Sequence, residues 1–214
     1  MANKRARKQV RLSRALGIAL TPKAQRYFDR RPYGPGEHGR ARRRSESDYA
    51  IRLKEKQRLR AQYNIREAQM HRLFEEARRI KGMTGENLIV LLESRLDALV
   101  LRSGFARTMP QARQTVVHRH VLVDGKQVDR PSYRVKPGQV IQICPKSQTK
   151  DPFIVAAAGS HRDVLPDVPP YLDVNLEQLQ ATYVRLPERD EIPVVCDLQM
   201  VVEHYSREVI ILVA

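Results

Sequence analysis

The chain has 214 residues, of which 42% are hydrophobic and only 6% aromatic, and it carries a formal net charge of +15. This length allows one large domain or two small ones, and the scarcity of aromatic rings argues against a large apolar ligand pocket. The two cysteines, Cys144 and Cys196, form no CxxC and no Cys/His pair at ligand spacing, so neither a disulfide framework nor a metal site is expected. No apolar run reaches the length of a signal or membrane-spanning segment, which predicts a cytoplasmic protein without a membrane partner.

The charge is distributed unevenly along the chain. Residues 1–81 contain 24 Lys and Arg against 8 Asp and Glu, residues 82–150 contain 11 against 5, and residues 151–214 contain 4 against 11. Self-repulsion within such a basic segment costs stability unless a polyanion neutralises it. The pattern predicts a nucleic-acid partner, because a surface dense in Lys and Arg gains affinity by releasing condensed counterions.

Residues 1–44 form a basic arm interrupted by the turn-rich stretch 32–39. Its Gly and Pro residues predict a looped path with projecting cations instead of a continuous helix. Two interpretations stay open, a disordered tail in the free protein or a segment that orders against RNA phosphates with its tyrosines stacked on bases. The candidate RNA contacts of the arm are Arg5, Lys8, Arg11, Arg14, Tyr33, Gly36, His38, Gly39, Arg42, Arg43 and Arg44.

Three helices are predicted to follow the arm. The first spans 45–63, the second runs from Asn64 to just before Gly82, and the third begins at Thr84 or Gly85. The apolar residues of the second helix repeat at helical spacing, which indicates a core face. The candidate RNA contacts in the first of these helices are Tyr49, Lys54 and Lys56.

A compact α+β module is predicted from residue 94 onwards. One helix ends at Gly104, and Thr108 caps a second helix that has a Pro in its first turn. The pair Asp124-Gly125 between short β-branched runs is a strong hairpin signal, and Val140–Ile143 is a third strand. A loop over 147–170, two further strands and a last helix are predicted to complete the chain.

The cations of this module are predicted to share one outer surface. Arg95 is placed on the first helix and Arg113 on the second, with Leu96 and Leu99 turned inward. Scattered solvated charges are the alternative, but the adjoining basic segment favours a single electrostatic face. The cations of the module that are candidate RNA contacts are Arg95, Arg107, Arg113, His118, Arg119 and Lys126.

No catalytic constellation is predicted. His118 and His120 straddle a helix end without an acidic neighbour in sequence, which argues against a metal site. The Gly-rich stretch 34–39 lacks the Gly-Lys-Ser/Thr of a phosphate-cradling loop, and the acidic run 188–191 is typical of a solvated turn. The sequence therefore predicts neither an enzyme nor a bound cofactor or metal.

Several sequence blocks match one known family. The stretch 94–114, SRLDALVLRSGFARTMPQARQ, with VDGK at 123–126, resembles the alpha-L RNA-binding module. PGEHG at 35–39, KGMTGENL at 81–88 and VVEHYS at 201–206 resemble the bacterial small-subunit ribosomal protein S-four family. Because the blocks fall in the right order over nearly the whole chain, they are more specific than the module alone, which occurs on many RNA enzymes.

The resemblance implies an α+β fold in which a helical domain with a basic arm holds an inserted module. The implied domains are a basic arm at 1–44, a helical domain at 45–94 completed by 196–214, and an alpha-L module at 95–195. Some relatives hold the arm around a zinc with four cysteines, but this chain has no cysteine before Cys144 and resembles the form without that site.

The resemblance also implies a function. The family's members bind small-subunit ribosomal RNA as primary binders early in assembly, and they lie where messenger RNA enters, beside another small-subunit protein whose interface influences decoding accuracy. Arg95, Arg113, Gln114, His118 and Lys126 are then expected to face ribosomal RNA, as are the arm and its glycine turn. An RNA-modifying enzyme or a ribosome-rescue factor with the same module is the alternative.

Overall fold

The computed structural model describes residues 9–41, 45–161 and 165–213, with side chains described as far as Ser206. Contacts along the backbone divide the chain into two compact units, one formed by Met1–Glu75 with Val194–Ala214 and the other by Glu76–Pro193. The predicted RNA contacts Arg5, Lys8, Arg42, Arg43 and Arg44 lie outside the described residues.

The described residues contain α-helices and one antiparallel sheet. The helices are α1 (Gln9–Leu16), α2 (Pro22–Arg30), α3 (Asp48–Gln62), α4 (Glu67–Arg79), α5 (Thr84–Glu93), α6 (Leu96–Arg102), α7 (Met109–Val117), α8 (Pro145–Gln148), α9 (Asp151–Ala157) and α10 (Leu198–Val213). The strands are β1 (Val121–Val123), β2 (Lys126–Gln127), β3 (Val140–Ile143), β4 (Leu172–Asn175) and β5 (Gln180–Tyr183). Within the described part of the chain, none of these helices has both the length and the apolar character needed to cross a bilayer.

The arm differs from the predicted looped path, because α1 and α2 are regular helices. The Thr21 side chain caps α2 by accepting a hydrogen bond from the Ala24 backbone N–H at 3.2 Å, with Pro22 in the first turn. Leu16 and Ala24 are buried, and the Arg58 guanidinium of α3 donates to the Leu16 carbonyl at 2.8 Å. The Gly and Pro residues thus separate short helices that pack within the first unit.

The first unit has its core between α3, α4 and α10. The Tyr205 ring of α10 stacks on Phe74 at a centroid distance of 4.8 Å. Its hydroxyl donates a 2.7 Å hydrogen bond to Glu67, and the Lys56 ammonium lies 3.0 Å from the same carboxylate. The predicted terminal helix is therefore held by an aromatic stack and a hydrogen bond to α4, and its Glu203 pairs with Arg52 of α3 at 3.1 Å.

The second unit is built on the sheet, whose strand order is β2-β1-β3-β5-β4. Asp124 and Gly125 both have positive φ, at 48° and 75°, as the predicted two-residue hairpin requires. The Asp124 carboxylate also accepts the Val140 backbone N–H at 2.9 Å, which ties the hairpin to β3. That hydrogen bond, with a second from Gln139, holds the pKa of Asp124 below its ordinary value.

The two helices of the module pack as the sequence predicted. The Thr108 side chain accepts a hydrogen bond from the Gln111 N–H and so caps α7, and Gly104 ends α6 with φ +76°. The residues predicted to face inward are fully buried, which confirms the predicted core face; they are Leu96, Leu99, Val100, Ala112 and Val116.

The predicted loop over 147–170 is only partly a loop. It contains α9, and α8 begins just before it at Pro145. Phe153 and Ala156 of α9 are buried three residues apart on one face. A helix of only seven residues offers two core positions, which is too few for apolar periodicity to reveal it.

Candidate nucleic-acid interface

The Arg14 guanidinium forms hydrogen bonds to the backbone of the predicted glycine turn in the arm. The Arg14 side chain donates to the carbonyl of Tyr33 at 3.1 Å and to that of Gly34 at 2.9 Å. At Gly39 an added Cβ would lie 2.1 Å from the Gly34 carbonyl oxygen, so only glycine allows the two backbone segments to approach this closely. Gly36 supports the same turn with φ +97°.

Tyr33 in this turn is surrounded by positive charge. The Arg40 guanidinium donates to its hydroxyl at 3.1 Å and lies 4.7 Å from the ring centroid, and that of Arg14 lies 5.1 Å from it. The hydrogen bond from Arg40 holds the pKa of Tyr33 below its ordinary value. Arg40 belongs to the basic arm but was not among the individual contacts predicted for it. Its position directly after the turn-rich stretch 32–39 was the sequence feature that indicated it.

The three candidates on α3 differ in exposure. Tyr49 is exposed, and the Lys54 ammonium pairs with Glu46 at 3.1 Å near the surface. Lys56, in contrast, is only 5% exposed and lies against Glu67 and the Tyr205 ring. The expected surface position of Lys56 is therefore wrong, because its ammonium neutralises a carboxylate within the first unit.

Arg95 is also not on the surface. It is 3% exposed, and its extended backbone precedes α6 and pairs with Arg134 in an isolated β-bridge. Its guanidinium forms a two-pronged pair with the Asp97 carboxylate, at 2.9 Å and 2.7 Å. The predicted outer surface shared by Arg95 and Arg113 is therefore wrong for Arg95.

Asp97 connects this buried arginine with a more exposed one. Its side chain is 1% exposed, and the Arg113 Nη1 of α7 lies 3.7 Å from its Oδ2. Burial raises the pKa of Asp97, while the guanidiniums of Arg95 and Arg113 oppose that shift. Arg113 itself keeps 35% of its side chain exposed, so its guanidinium can contact a ligand.

The C-terminal end of α7 lies next to the hairpin. The Gln127 side-chain amide donates to the Arg119 carbonyl at 2.6 Å, and the Arg119 guanidinium pairs with Asp129 at 3.2 Å. His118 and Lys126, which are both exposed, are the sequence neighbours of the two residues that form this contact. The predicted residues that are exposed or half-exposed in this unit are Arg107, Arg113, Gln114, His118, Arg119 and Lys126.

The second unit presents further exposed cations that sequence reasoning missed. Arg130 and Lys136 lie on the segment between β2 and β3, outside the sequence blocks that resemble the family, and both are exposed. Charge was the only feature of the sequence that marked these two residues.

Among the residues that the structure describes, no group of three or more His, Cys, Asp or Glu is placed to hold a metal ion. The geometry as a whole offers separated guanidinium, ammonium and imidazole donors on a rigid frame, which suits a polyanion.

Comparison with known proteins matches the same regions. The family model described as ribosomal protein S4/S9 N-terminal domain matches residues 4–93, and the S4 domain matches residues 94–141. The chain is 72% identical over 206 residues to the small ribosomal subunit protein uS4 of Beutenbergia cavernae, covering 96% of this chain and 99% of that protein. The proteins of the same description from Arthrobacter sp. (strain FB24) and Micrococcus luteus are 71% and 67% identical, with the same coverage. Since these matches run nearly from end to end, the family that the motifs indicated is confirmed, and the chain belongs to the uS4 family of small ribosomal subunit proteins.

Proposed function

We propose that this chain is a structural constituent of the small ribosomal subunit that binds ribosomal RNA and contacts neighbouring ribosomal proteins. Its relatives carry the name of a small-subunit protein and match nearly its whole length. The alternatives, an RNA-modifying enzyme or a rescue factor, find no support in relatives named in this way. The predicted location on the cytoplasmic ribosome follows from the same relatives.

Two surfaces are proposed to meet the RNA. The module face consists of Arg107, Arg113, Gln114, His118 and Lys126, which are exposed or half-exposed in the second unit. The arm turn consists of Arg14, Tyr33, Gly39 and Arg40 in the first unit. The observation that carries the proposal is the contact between the end of α7 and the hairpin, since it groups cations from separate elements on one rigid frame.

Within the module face the residues have different chemical roles. Arg113 and Arg107 can donate two hydrogen bonds to one phosphate, whereas the Lys126 ammonium acts as a compact point charge. The Gln114 amide and the His118 ring can donate to phosphate or to the 2′-hydroxyl groups that distinguish RNA from DNA. The surface therefore suits recognition of an RNA backbone by position and shape.

A direct test combines Arg107→Ala with Lys126→Ala on the module face. The double variant should bind small-subunit ribosomal RNA about tenfold more weakly, since each exposed cation makes one phosphate contact. Arg185→Ala is the matched control, because that arginine pairs with Glu191 in the acidic last third of the chain. Equal affinities of the double variant and the wild type in a filter-binding assay would rule out the module face as the RNA contact.

Finer roles are proposed on the family resemblance. The protein is expected to bind RNA early in subunit assembly, to lie where messenger RNA enters, and to influence decoding accuracy through a neighbouring protein. The basic arm supports an RNA-facing position, since residues 1–44 contain 14 Lys and Arg against 2 Asp and Glu. Order-of-addition reconstitution tests the first role: subunits assembled with the protein added last should form more slowly than those that receive it first. Equal assembly rates for the two orders would contradict it.

A further inference from the structure

We infer that Arg95 is a positioning residue for RNA binding, because by occupying both oxygens of Asp97 it leaves the guanidinium of Arg113 available to a phosphate. The inference rests on the proposed function, in which Arg113 belongs to the module face. It assigns a binding role to a side chain that is itself buried and cannot contact RNA.

The Asp97 carboxylate is hydrogen-bonded to Arg95 and lies farther from Arg113. Arg95 donates from Nε to Oδ1 at 2.9 Å and from Nη2 to Oδ2 at 2.7 Å, which is the two-pronged geometry of the strongest pairs. Arg113 Nη1 lies 3.7 Å from Oδ2, beyond hydrogen-bond distance. Arg113 is thus attracted and oriented by Asp97 without being bound by it.

The backbone holds Arg95 in place. The Leu96 N–H donates to the Tyr133 carbonyl at 2.8 Å, and the Val135 N–H donates to the Ser94 carbonyl at 2.9 Å. These bonds flank Arg95 on both sides, so its side chain has a fixed point from which to reach Asp97. Arg113, on α7, keeps 35% of its side chain exposed.

The charges of the three side chains explain why pairing of Asp97 with Arg95 favours RNA binding by Arg113. Two guanidiniums share one carboxylate, so the group has a net charge of about +1. A buried guanidinium must be paired, because an unpaired buried charge is costly, and Arg95 therefore takes the carboxylate. The surplus positive charge resides on Arg113, where a phosphate can reach it.

Without the Arg95 guanidinium, Asp97 would be a buried carboxylate with Arg113 as its nearest cation. Arg113 should then close onto it in a two-pronged pair, and a phosphate would have to break that pair before binding. RNA affinity should fall although no RNA contact has been removed.

A double-mutant cycle in the full chain tests this, with small-subunit ribosomal RNA as the ligand and Arg95→Met and Arg113→Ala as the two changes. Arg113→Ala alone should weaken binding about tenfold, the effect of one charge-assisted contact. Arg95→Met alone should weaken it about fivefold, and adding Arg113→Ala to that variant should cost less than about twofold more. Arg95→Met with Asp97→Asn should recover most of the affinity, since the competing carboxylate charge is gone.

The outcomes separate this inference from the proposed function. An Arg113→Ala variant that binds RNA as the wild type does would overturn the inference and remove Arg113 from the module face, whereas the proposed function is decided by the Arg107→Ala and Lys126→Ala variant. A tenfold effect of Arg113→Ala that persists on the Arg95→Met background, or a failure of Asp97→Asn to restore binding, would overturn the inference alone.

The wild-type protein provides a measurement that does not depend on whether the variants fold. In guanidinium NMR spectra, RNA should shift the side-chain signals of Arg113 and leave those of Arg95 in place. A shift of the Arg95 signals with those of Arg113 unchanged would overturn the inference.

Discussion

Lys56 and Arg95 carry charges that the sequence marks as RNA contacts, and both lie inside their units against carboxylates. Lys56 is paired with Glu67, and Arg95 with Asp97. When the cation of such a pair is removed, the carboxylate loses its nearest partner and keeps a more distant one, Arg60 at 3.3 Å from Glu67 or Arg113 at 3.7 Å from Asp97, which destabilises the fold. We therefore expect substitutions of these cations to affect stability first, in contrast to substitutions of exposed cations.

Lys56→Met should lower the free energy of unfolding by about 2 kcal/mol, less than for a fully buried pair because the Glu67 carboxylate stays partly hydrated. Lys54→Met is the matched control two residues away, and its loss should stay below about 0.5 kcal/mol because the Lys54–Glu46 pair is near the surface. Urea denaturation of the two variants measures both values. Equal losses would show that Lys56 has no special structural role.

Gly39→Ala tests the close approach of backbone in the arm turn. The new Cβ would collide with the Gly34 carbonyl, so the turn must open and Arg40 must move away from Tyr33. The pKa of Tyr33, which the Arg40 hydrogen bond lowers, should then rise back towards its ordinary value. A tyrosine titration followed by NMR detects the change, with Glu37→Ala as the control in the same turn. An unchanged Tyr33 pKa in Gly39→Ala would contradict this account of the turn.

At the scale of the elements, the Glu67 carboxylate of α4 contacts both α3, through Lys56, and the terminal helix α10, through Tyr205. Burial of Glu67 disfavours its charged form, but hydrogen bonds from Tyr205 and Lys56 outweigh that effect and lower its pKa below 4.5. The contribution to stability is therefore complete above the unfolded-state pKa and is lost as the pH falls through the folded-state pKa. Acid should thus weaken the attachment of α10.

Glu67→Gln should remove this pH dependence. The variant should be less stable than the wild type at pH 7. The difference should shrink as the pH falls from the unfolded-state pKa of Glu67 through its lowered folded-state pKa, below which the wild-type carboxylate is neutral as well. Thermal unfolding between pH 3 and pH 7 measures the difference, and Glu86→Gln, an exposed carboxylate in α5, is the control. A stability difference that is the same at every pH would mean that the Glu67 charge contributes nothing.

At the scale of the whole molecule, the uneven charge predicts how RNA affinity responds to salt. With about ten neutralised phosphates, log K should fall against log salt concentration with a slope between about −7 and −9. The buried cations Lys56 and Arg95 contribute little to this number, so exposed residues must supply it. Filter binding over a range of salt concentrations measures the slope, and a value shallower than about −3 would show that phosphate contacts do not dominate.

The sequence alone was sufficient for features that depend on neighbouring residues. The cap at Thr108, the helix end at Gly104 and the hairpin at Asp124-Gly125 were all predicted and found. Each is decided by backbone dihedrals and hydrogen bonds within a few residues, so local sequence contains the necessary information. The motifs likewise indicated the family, because several separate blocks had to match in order.

Only the tertiary structure decided which cations are available to RNA. The partner of Lys56 is eleven residues away on another helix, and the backbone partner of Arg95, Arg134, lies on a distant segment. Charge is a property of the residue type, but burial and pairing depend on which elements pack together. The sequence therefore determined that the chain binds a polyanion and which family it belongs to, whereas the packing of distant segments determined that Lys56 and Arg95 support the fold while Arg113 stays partly exposed.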